Sequence, residues 1–148
     1  MSLIYDKALE FKRKYPLTVA WRIKEHCKII EKYLFDDETV KYVFLAQKNN
    51  GSLDFVNTNV IVLTNKRIMI ATKRVLFGYF FIAITPDMFN DITVKKNLIW
   101  GSVIIDTVKE VVTLTNISPK ALSEINKYVS DTMMKAKIEF GLNQKKKE

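Results

Sequence analysis

The stretch VIVLTNKRIMI, residues 60–70, decides the fold of this chain. Two runs of apolar, mostly β-branched residues flank a short polar segment that contains Asn65 and Lys66. This pattern is typical of two antiparallel strands joined by a tight turn. We therefore predict a strand over 59–64, a turn at Asn65-Lys66 and a second strand over 67–72.

Five further β-rich runs surround this hairpin, separated by turn-sized gaps, at residues 40–47, 76–84, 91–95, 100–106 and 110–115. Short strands at such close spacing predict an antiparallel barrel or sandwich of seven strands. The longest apolar run, residues 75–84, has ten residues, about half of the ~20 that a membrane-spanning helix needs. We expect this run to form a buried strand.

Helical periodicity flanks the strands on both sides. Apolar residues recur every three or four positions over 17–34, and residues 3–15 are compatible with another short helix. Ser118-Pro119 is a helix-start pattern, and we expect Gly141 to end the last helix. The sequence thus predicts a mainly β fold in three parts: an N-terminal helical extension packed on the barrel (1–35), a barrel with a C-terminal helix at about 118–140 (36–141), and a disordered basic tail (142–148).

Composition and charge narrow the class of protein. Hydrophobic residues at 48% and charged residues at 27% are typical of a globular domain. The net charge is +8, yet residues 34–119 carry nine Lys and Arg against eight Asp and Glu. Since the excess lies on the flanking segments and no exposed aromatic platform is evident, nucleic-acid binding ranks last. A single cysteine and no recognisable signal peptide predict a cytoplasmic location.

Reactive side chains are sparse. The chain has one histidine, His26, next to its one cysteine, Cys27, and adjacent helical residues point to different faces. We expect Cys27 to lie in the core and His26 to be exposed. Residues 36–38, Asp-Asp-Glu, are interpreted as a solvated turn rather than a metal site. We predict no catalytic, metal-binding or cofactor-binding residues, and hence no enzyme.

Two groups of residues are candidates for binding. Lys48, Lys73 and Arg74 follow the first and third strands, whose ends meet at one edge of a meander, so they could hold a phosphate or an anionic lipid headgroup. Phe77, Tyr79 and Phe81 alternate along the fourth strand. If exposed, they would form an apolar patch for a partner chain; the N-terminal helix covering this face is an equally open alternative.

The residues Leu63-Thr-Asn-Lys-Arg67 resemble the signature of bacterial pleckstrin-homology (PH)-like domains, which marks the hairpin between the second and third strands. The segments 92–94 and 98–105 resemble the end of the same family pattern, so the resemblance covers about residues 36–138 and is strongest to the YokE-like group. It implies a seven-stranded barrel or sandwich capped by a C-terminal helix. The function of such domains is mostly uncharacterised, and some members form ring-shaped homo-oligomers.

Three functions remain open on this basis. The first is a non-catalytic binding or assembly module that associates with itself or with another protein. The second is a peripheral binder of anionic lipid or a phosphate ligand at the barrel mouth. The basic motif by which eukaryotic PH domains bind phosphoinositides is absent here, since Lys48 is followed by asparagine, glycine and serine. The third is an enzyme with a pocket in the barrel.

Overall fold

The structure is a computed structural model that describes residues 2–48 and 57–147. Two helices, α1 (Leu3–Lys14) and α2 (Ile23–Tyr33), precede seven strands, and one long helix follows them. The strands are β1 (Val40–Gln47), β2 (Thr58–Thr64), β3 (Ile68–Lys73), β4 (Tyr79–Ile84), β5 (Phe89–Lys96), β6 (Gly101–Thr107) and β7 (Val111–Ile117). A 3-10 turn, Pro119–Ala121, leads into α3 (Leu122–Lys147).

The seven strands pair antiparallel in the order β4-β3-β2-β1-β7-β6-β5. The halves of the sheet meet where Gln47 of β1 pairs with Thr115 of β7. No pairing joins β4 to β5 among the described strands, so the sheet is not a closed barrel. It folds over as a sandwich, and the prediction of seven antiparallel strands in a barrel or sandwich with a C-terminal helix is confirmed in its sandwich form.

The hairpin predicted from the LTNKR stretch is present. Leu63 pairs with Ile68, and the amide of Thr64 donates to the carbonyl of Arg67 at 2.9 Å. The predicted strand over 76–84 is wrong at its start, because β4 begins only at Tyr79. Gly78 has φ +71, a conformation that glycine adopts without steric cost. It closes the turn with a 3.1 Å bond from the amide of Arg74 to its carbonyl.

The core lies between the two layers of the sheet and under the helices. Every residue of β2 is buried, and α3 covers the sandwich with Ile125, Val129 and Met133. The start of α3 sits close to β6: a Cβ at Gly101 would lie 2.6 Å from Cδ1 of Leu122. Glycine at this position therefore lets the helix approach the strand closely.

The predicted helix over 17–34 begins only at Ile23, because residues 15–22 cross the molecule as an irregular segment that ends at Arg22 with φ 53. The last helix, by contrast, is longer than predicted. It passes through Gly141 and reaches Lys147, so residues 142–147 are helical rather than disordered; residue 148 lies outside the described residues. A glycine within a helix costs only about 1 kcal/mol, and lysines in the last turn favour its continuation.

The N-terminal helices pack on the sheet, α1 against β1 and α2 against β3. Cys27 is fully buried on α2, as predicted, and burial raises the pKa of its thiol to about 12. The prediction that His26 is exposed is wrong, because this side chain is also fully buried. The described residues contain no helix long and apolar enough to cross a bilayer.

The signature residues have a structural role. Arg67 donates to Glu38 at 2.8 Å and to the carbonyl of Tyr33 at 2.6 Å. The Oγ1 of Thr64 donates to Glu38 at 2.7 Å, and Asn65 Oδ1 accepts from the amide of Thr39 at 2.8 Å. These bonds fasten the α2–β1 connection to the β2–β3 turn. A solvated turn at residues 36–38 is therefore wrong for Glu38, whose side chain is fully buried.

Candidate functional site

One end of the sandwich is crossed by residues 15–22, which hold the two sheet layers together. Trp100 Nε1 donates to the carbonyl of Leu17 at 2.9 Å, and the amide of Val19 donates to Asn116 at 2.9 Å. Further along, the amide of Trp21 donates to Thr58 Oγ1 at 3.2 Å. The segment therefore runs from the β5–β6 turn, past the end of β7, to the start of β2.

His26 anchors this crossing segment to β3. Its Nδ1 accepts from the amide of Lys73 at 2.8 Å, so the neutral ring carries its proton on Nε2, which donates to the carbonyl of Trp21 at 3.0 Å. Arg22 adds a 3.0 Å bond to the carbonyl of Lys73. Burial, together with the charge of Arg22, lowers the pKa of His26 to about 4. Both ring nitrogens are thus engaged in positioning backbone.

The turn between β3 and β4 projects from this end. Leu76 and Phe77 expose 82% and 83% of their surface, and Val75 is also exposed. Two basic residues, Lys73 and Arg74, precede them directly. The tip of this turn is thus apolar, with cations at its base.

The turn between β5 and β6 repeats this arrangement at the same end. Leu98 exposes 96% of its surface, Ile99 is more than half exposed, and Lys95 and Lys96 precede them. The half-buried Trp100 faces the crossing segment through its bond to the carbonyl of Leu17. Because the crossing segment links the two turns, its exposed residues Leu17 and Trp21 lie between them. We call this surface the hairpin end; its members are Leu17, Trp21, Val75, Leu76, Phe77, Leu98 and Ile99.

Of the predicted cation cluster, Lys48 and Arg74 line one open groove beside the β3–β4 turn, and Asn59 contributes to its wall. The Nζ of Lys48 lies 5.0 Å from the ring centre of Phe80. Lys73 is not among the lining residues; its amide donates to His26, and its carbonyl accepts from Arg22. The residues that follow Lys48, from 49 to 56, lie outside the described residues.

The wall of the groove includes an asparagine whose side chain is almost fully buried. Asn59 is almost fully buried, and its Nδ2 donates to the carbonyl of Asn57 at 2.8 Å. Its Oδ1 is a buried oxygen with no hydrogen-bond partner in the part of the chain that the structure describes. A buried acceptor without a partner is costly unless a ligand or a water satisfies it. The groove itself thus combines two cations with aromatic surface.

The predicted apolar patch does not form one exposed face. The ring of Phe81 stacks on Tyr33 of α2 with their centres 4.0 Å apart. Tyr79 also contacts Tyr33, through a hydrogen bond between their hydroxyl groups. Phe77 lies apart from them, on the tip of the β3–β4 turn. The N-terminal helix therefore covers part of the face, and Phe77 belongs to the hairpin end.

Sequence reasoning missed the contribution of Leu98 and Ile99. A usable signal was present: residues 73–78 read KRVLFG and residues 95–101 read KKNLIWG, so each turn has a basic pair, a mostly apolar tip and a glycine.

No group of three His, Cys, Asp or Glu side chains that could hold a metal ion occurs in residues 2–48 or 57–147.

Seven antiparallel strands in a folded sheet, with a helix across the sandwich, define a PH-like fold. A family model for the bacterial PH domain matches residues 34–131. The chain therefore belongs to the bacterial PH domain family, as the signature residues suggested. No curated protein matches the chain. Domains of this kind are generally non-catalytic and mediate binding or interaction.

Proposed function

We propose that this protein is a non-catalytic module that docks on an anionic membrane surface through its hairpin end. The observation that carries the proposal is the pair of turns whose apolar tips are almost fully exposed beside basic residues. A cytoplasmic location remains a prediction from the single cysteine.

The apolar tips favour a lipid interface over open solvent. Soluble proteins rarely gather several large exposed apolar side chains at one place without a function for them. Here Leu76 and Phe77 on one turn and Leu98 on the other expose more than four-fifths of their surface. Inserting such side chains a short way into the acyl region removes them from water, at a gain of about 0.8 kcal/mol for each buried CH₂. Trp21 lies between the turns, and tryptophan favours the headgroup level of a bilayer.

The charges favour a membrane that contains anionic lipid. Arg74, Lys95 and Lys96 are exposed at the bases of the two tips, and Lys48 lies nearby in the groove. A basic residue held close to an anionic surface contributes about 1 kcal/mol, and this contribution falls off within a Debye length. Binding by these residues should therefore depend on both anionic lipid and salt.

The groove is suited to a single headgroup. Lys48 and Arg74 line the groove and can bind a phosphate oxygen of the headgroup. The half-exposed ring of Phe80 offers apolar contact beside them. This arrangement uses two of the three cations that the sequence singled out.

Co-sedimentation with vesicles tests the proposal. Vesicles of phosphatidylcholine alone are compared with vesicles of equimolar phosphatidylcholine and phosphatidylserine, at low and high salt. We expect binding only to the anionic vesicles, reduced by salt. Phe77→Ser and Leu98→Ser should each weaken it by about tenfold, as expected for losing about 1.4 kcal/mol of burial. Val108→Ser is the matched control, because Val108 is an exposed apolar residue in the β6–β7 turn at the opposite end.

Two charge-reversal variants complete the experiment. Arg74→Glu should weaken binding to the anionic vesicles, whereas Lys109→Glu, in the β6–β7 turn, should have little effect. Failure of the protein to bind phosphatidylserine vesicles at low salt would remove the proposal. Binding that Val108→Ser or Lys109→Glu reduces as much as the hairpin-end variants would assign it to general charge or hydrophobicity.

A further inference from the structure

The outer face of α3 carries an apolar stripe that nothing in the described part of the domain covers. Met134, Ile138 and Leu142 follow one another at four-residue spacing and expose 65%, 62% and 55% of their surface. The buried residues of α3, such as Val129 and Met133, lie on the opposite side of the helix. The C-terminal half of α3 is therefore apolar on two opposite faces.

We propose that this stripe pairs with the same stripe of a second copy, the two α3 helices crossing antiparallel at Ile138. Side chains four residues apart form a ridge that packs into the groove of a like helix. In an antiparallel pair centred on Ile138, Met134 of each protomer lies against Leu142 of its partner. The stripe is therefore complementary to itself, as a two-fold interface requires.

The charge at the end of α3 sets the direction of pairing. Lys145, Lys146 and Lys147 form the last turn. A parallel pair would place the two lysine clusters side by side, where like charges repel. An antiparallel pair separates the clusters and also opposes the two helix dipoles, placing Lys145 near Asp131 of the other copy.

Charges beside the stripe are complementary in the same register. Lys135 and Glu139 are exposed on the same flank of the helix, one on each side of Ile138 along its axis. Antiparallel pairing brings Lys135 of each protomer close to Glu139 of the other, and symmetry makes this contact twice. Lys135 forms an exposed ion pair at 3.2 Å with Asp131 of its own helix, which contributes little and can rearrange.

We assign the partner helix to a second copy of this chain because both the apolar stripe and the charges beside it are complementary to themselves across a two-fold axis. An unrelated helix could satisfy the apolar stripe, but across a two-fold axis at Ile138 the residue Met134 opposes Leu142 and Asp131 opposes Lys145, with Lys135 and Glu139 within two residues of direct opposition. The stripe is short, so the interface lies at the small end of specific contacts. We therefore expect a weak dimer whose population rises with protein concentration.

Sedimentation velocity of the full chain over a micromolar to millimolar concentration series tests this. The average mass should rise toward that of a dimer, and Ile138→Glu should weaken association at least tenfold, because it places a charge in the apolar contact. Leu3→Glu is the matched control, an exposed apolar residue near the start of α1, and should leave association unchanged. Circular dichroism establishes that both variants are folded.

Charge-reversal variants and introduced cysteines test the antiparallel register. Lys135→Glu and Glu139→Lys should each weaken the dimer several-fold, and the double variant should restore it. A protein with Met134→Cys should form a disulfide with a protein carrying Leu142→Cys. Met134→Cys alone should not, because antiparallel pairing separates its two copies by eight residues, about 12 Å. The native Cys27 is buried and does not interfere.

A chain that stays monomeric throughout the series would overturn the inference. So would a dimer that persists in Ile138→Glu, since the contact would then lie elsewhere. Efficient disulfide formation by Met134→Cys alone would contradict the antiparallel direction. Since the stripe lies outside the hairpin end, vesicle binding by the Ile138→Glu variant separates failure of this inference from failure of the proposed function.

Discussion

Acid should weaken this fold through His26 more than through an ordinary histidine. The neutral ring accepts from the amide of Lys73 and donates to the carbonyl of Trp21. Protonation of Nδ1 would replace its acceptor by a second donor facing the amide of Lys73. A buried imidazolium also lacks the hydration that it has in the unfolded chain. Both effects disfavour the protonated form of His26 in the folded chain and so lower its pKa.

The magnitude follows from the two pKa values of His26, which are about 4 in the folded chain and 6.5 for an unperturbed histidine such as that of the unfolded chain. A lowered pKa means that the unfolded chain binds the proton more readily. The free energy of unfolding is therefore unaffected by this group above pH 6.5 and falls as the pH drops towards 4. The loss attributable to His26 reaches about 3 kcal/mol at about pH 4.

Urea denaturation at several pH values, for the wild type and for His26→Gln, measures this. The Gln amide offers an acceptor and a donor but does not titrate, so acidic groups common to both proteins cancel in the comparison. The variant should be less stable near neutral pH and lose less stability than the wild type on acidification to about pH 4. Free energies of unfolding that fall in parallel for both proteins would refute the reasoning.

The buried ion pair and the buried thiol give two further predictions. Arg67→Met leaves Glu38 buried without its partner and should lower the free energy of unfolding by about 3–5 kcal/mol; adding Glu38→Gln should recover part of this, and a single variant of wild-type stability in urea denaturation would contradict it. Cys27, with its high thiol pKa, should resist a thiol reagent in native buffer and react after denaturation, so rapid native labelling would show that α2 opens.

The buried ion pair of Glu38 and Arg67 also makes the stability of the fold depend on pH. Burial alone would raise the pKa of Glu38, but hydrogen bonds from Arg67, the amide of Phe35 and Thr64 outweigh burial and lower it. The stabilisation from this carboxylate is therefore complete above its unfolded pKa and is lost as the pH falls through the folded value. It is common to the wild type and the His26 variant, which is why their comparison isolates His26.

The strands could be predicted from the sequence because their signal is local. Alternating β-branched residues and turn residues mark each strand to within a few positions, and the bounds predicted for β1 match those observed. The late start of α2 was hidden, since residues 17–22 carry an apolar periodicity that long-range bonds such as Val19 to Asn116 override. The continuation of α3 through Gly141 was hidden because a glycine weakens a helix without always ending it.

The site could be predicted only in part, because exposure is a tertiary property. Simple meander geometry places Lys48 and Arg74 at one edge, and the structure brings them to one groove. The apolar run predicts Val75, Leu76 and Phe77 inside a strand, although Gly78 places them on a turn. The proximity of the β5–β6 turn follows from the crossing segment, whose hydrogen bonds no local pattern encodes.

The depth of the hairpin end in a bilayer tests the central claim most directly. Cysteines introduced by Phe77→Cys, Leu98→Cys and Val108→Cys are labelled one at a time with a polarity-sensitive fluorophore, which native Cys27 should not take up. On adding phosphatidylserine-containing vesicles, the emission should shift to shorter wavelength for the labels at 77 and 98 and stay unchanged at 108. An unchanged spectrum at both hairpin positions while the protein co-sediments, or a shift at 108 alone, would contradict docking through this end.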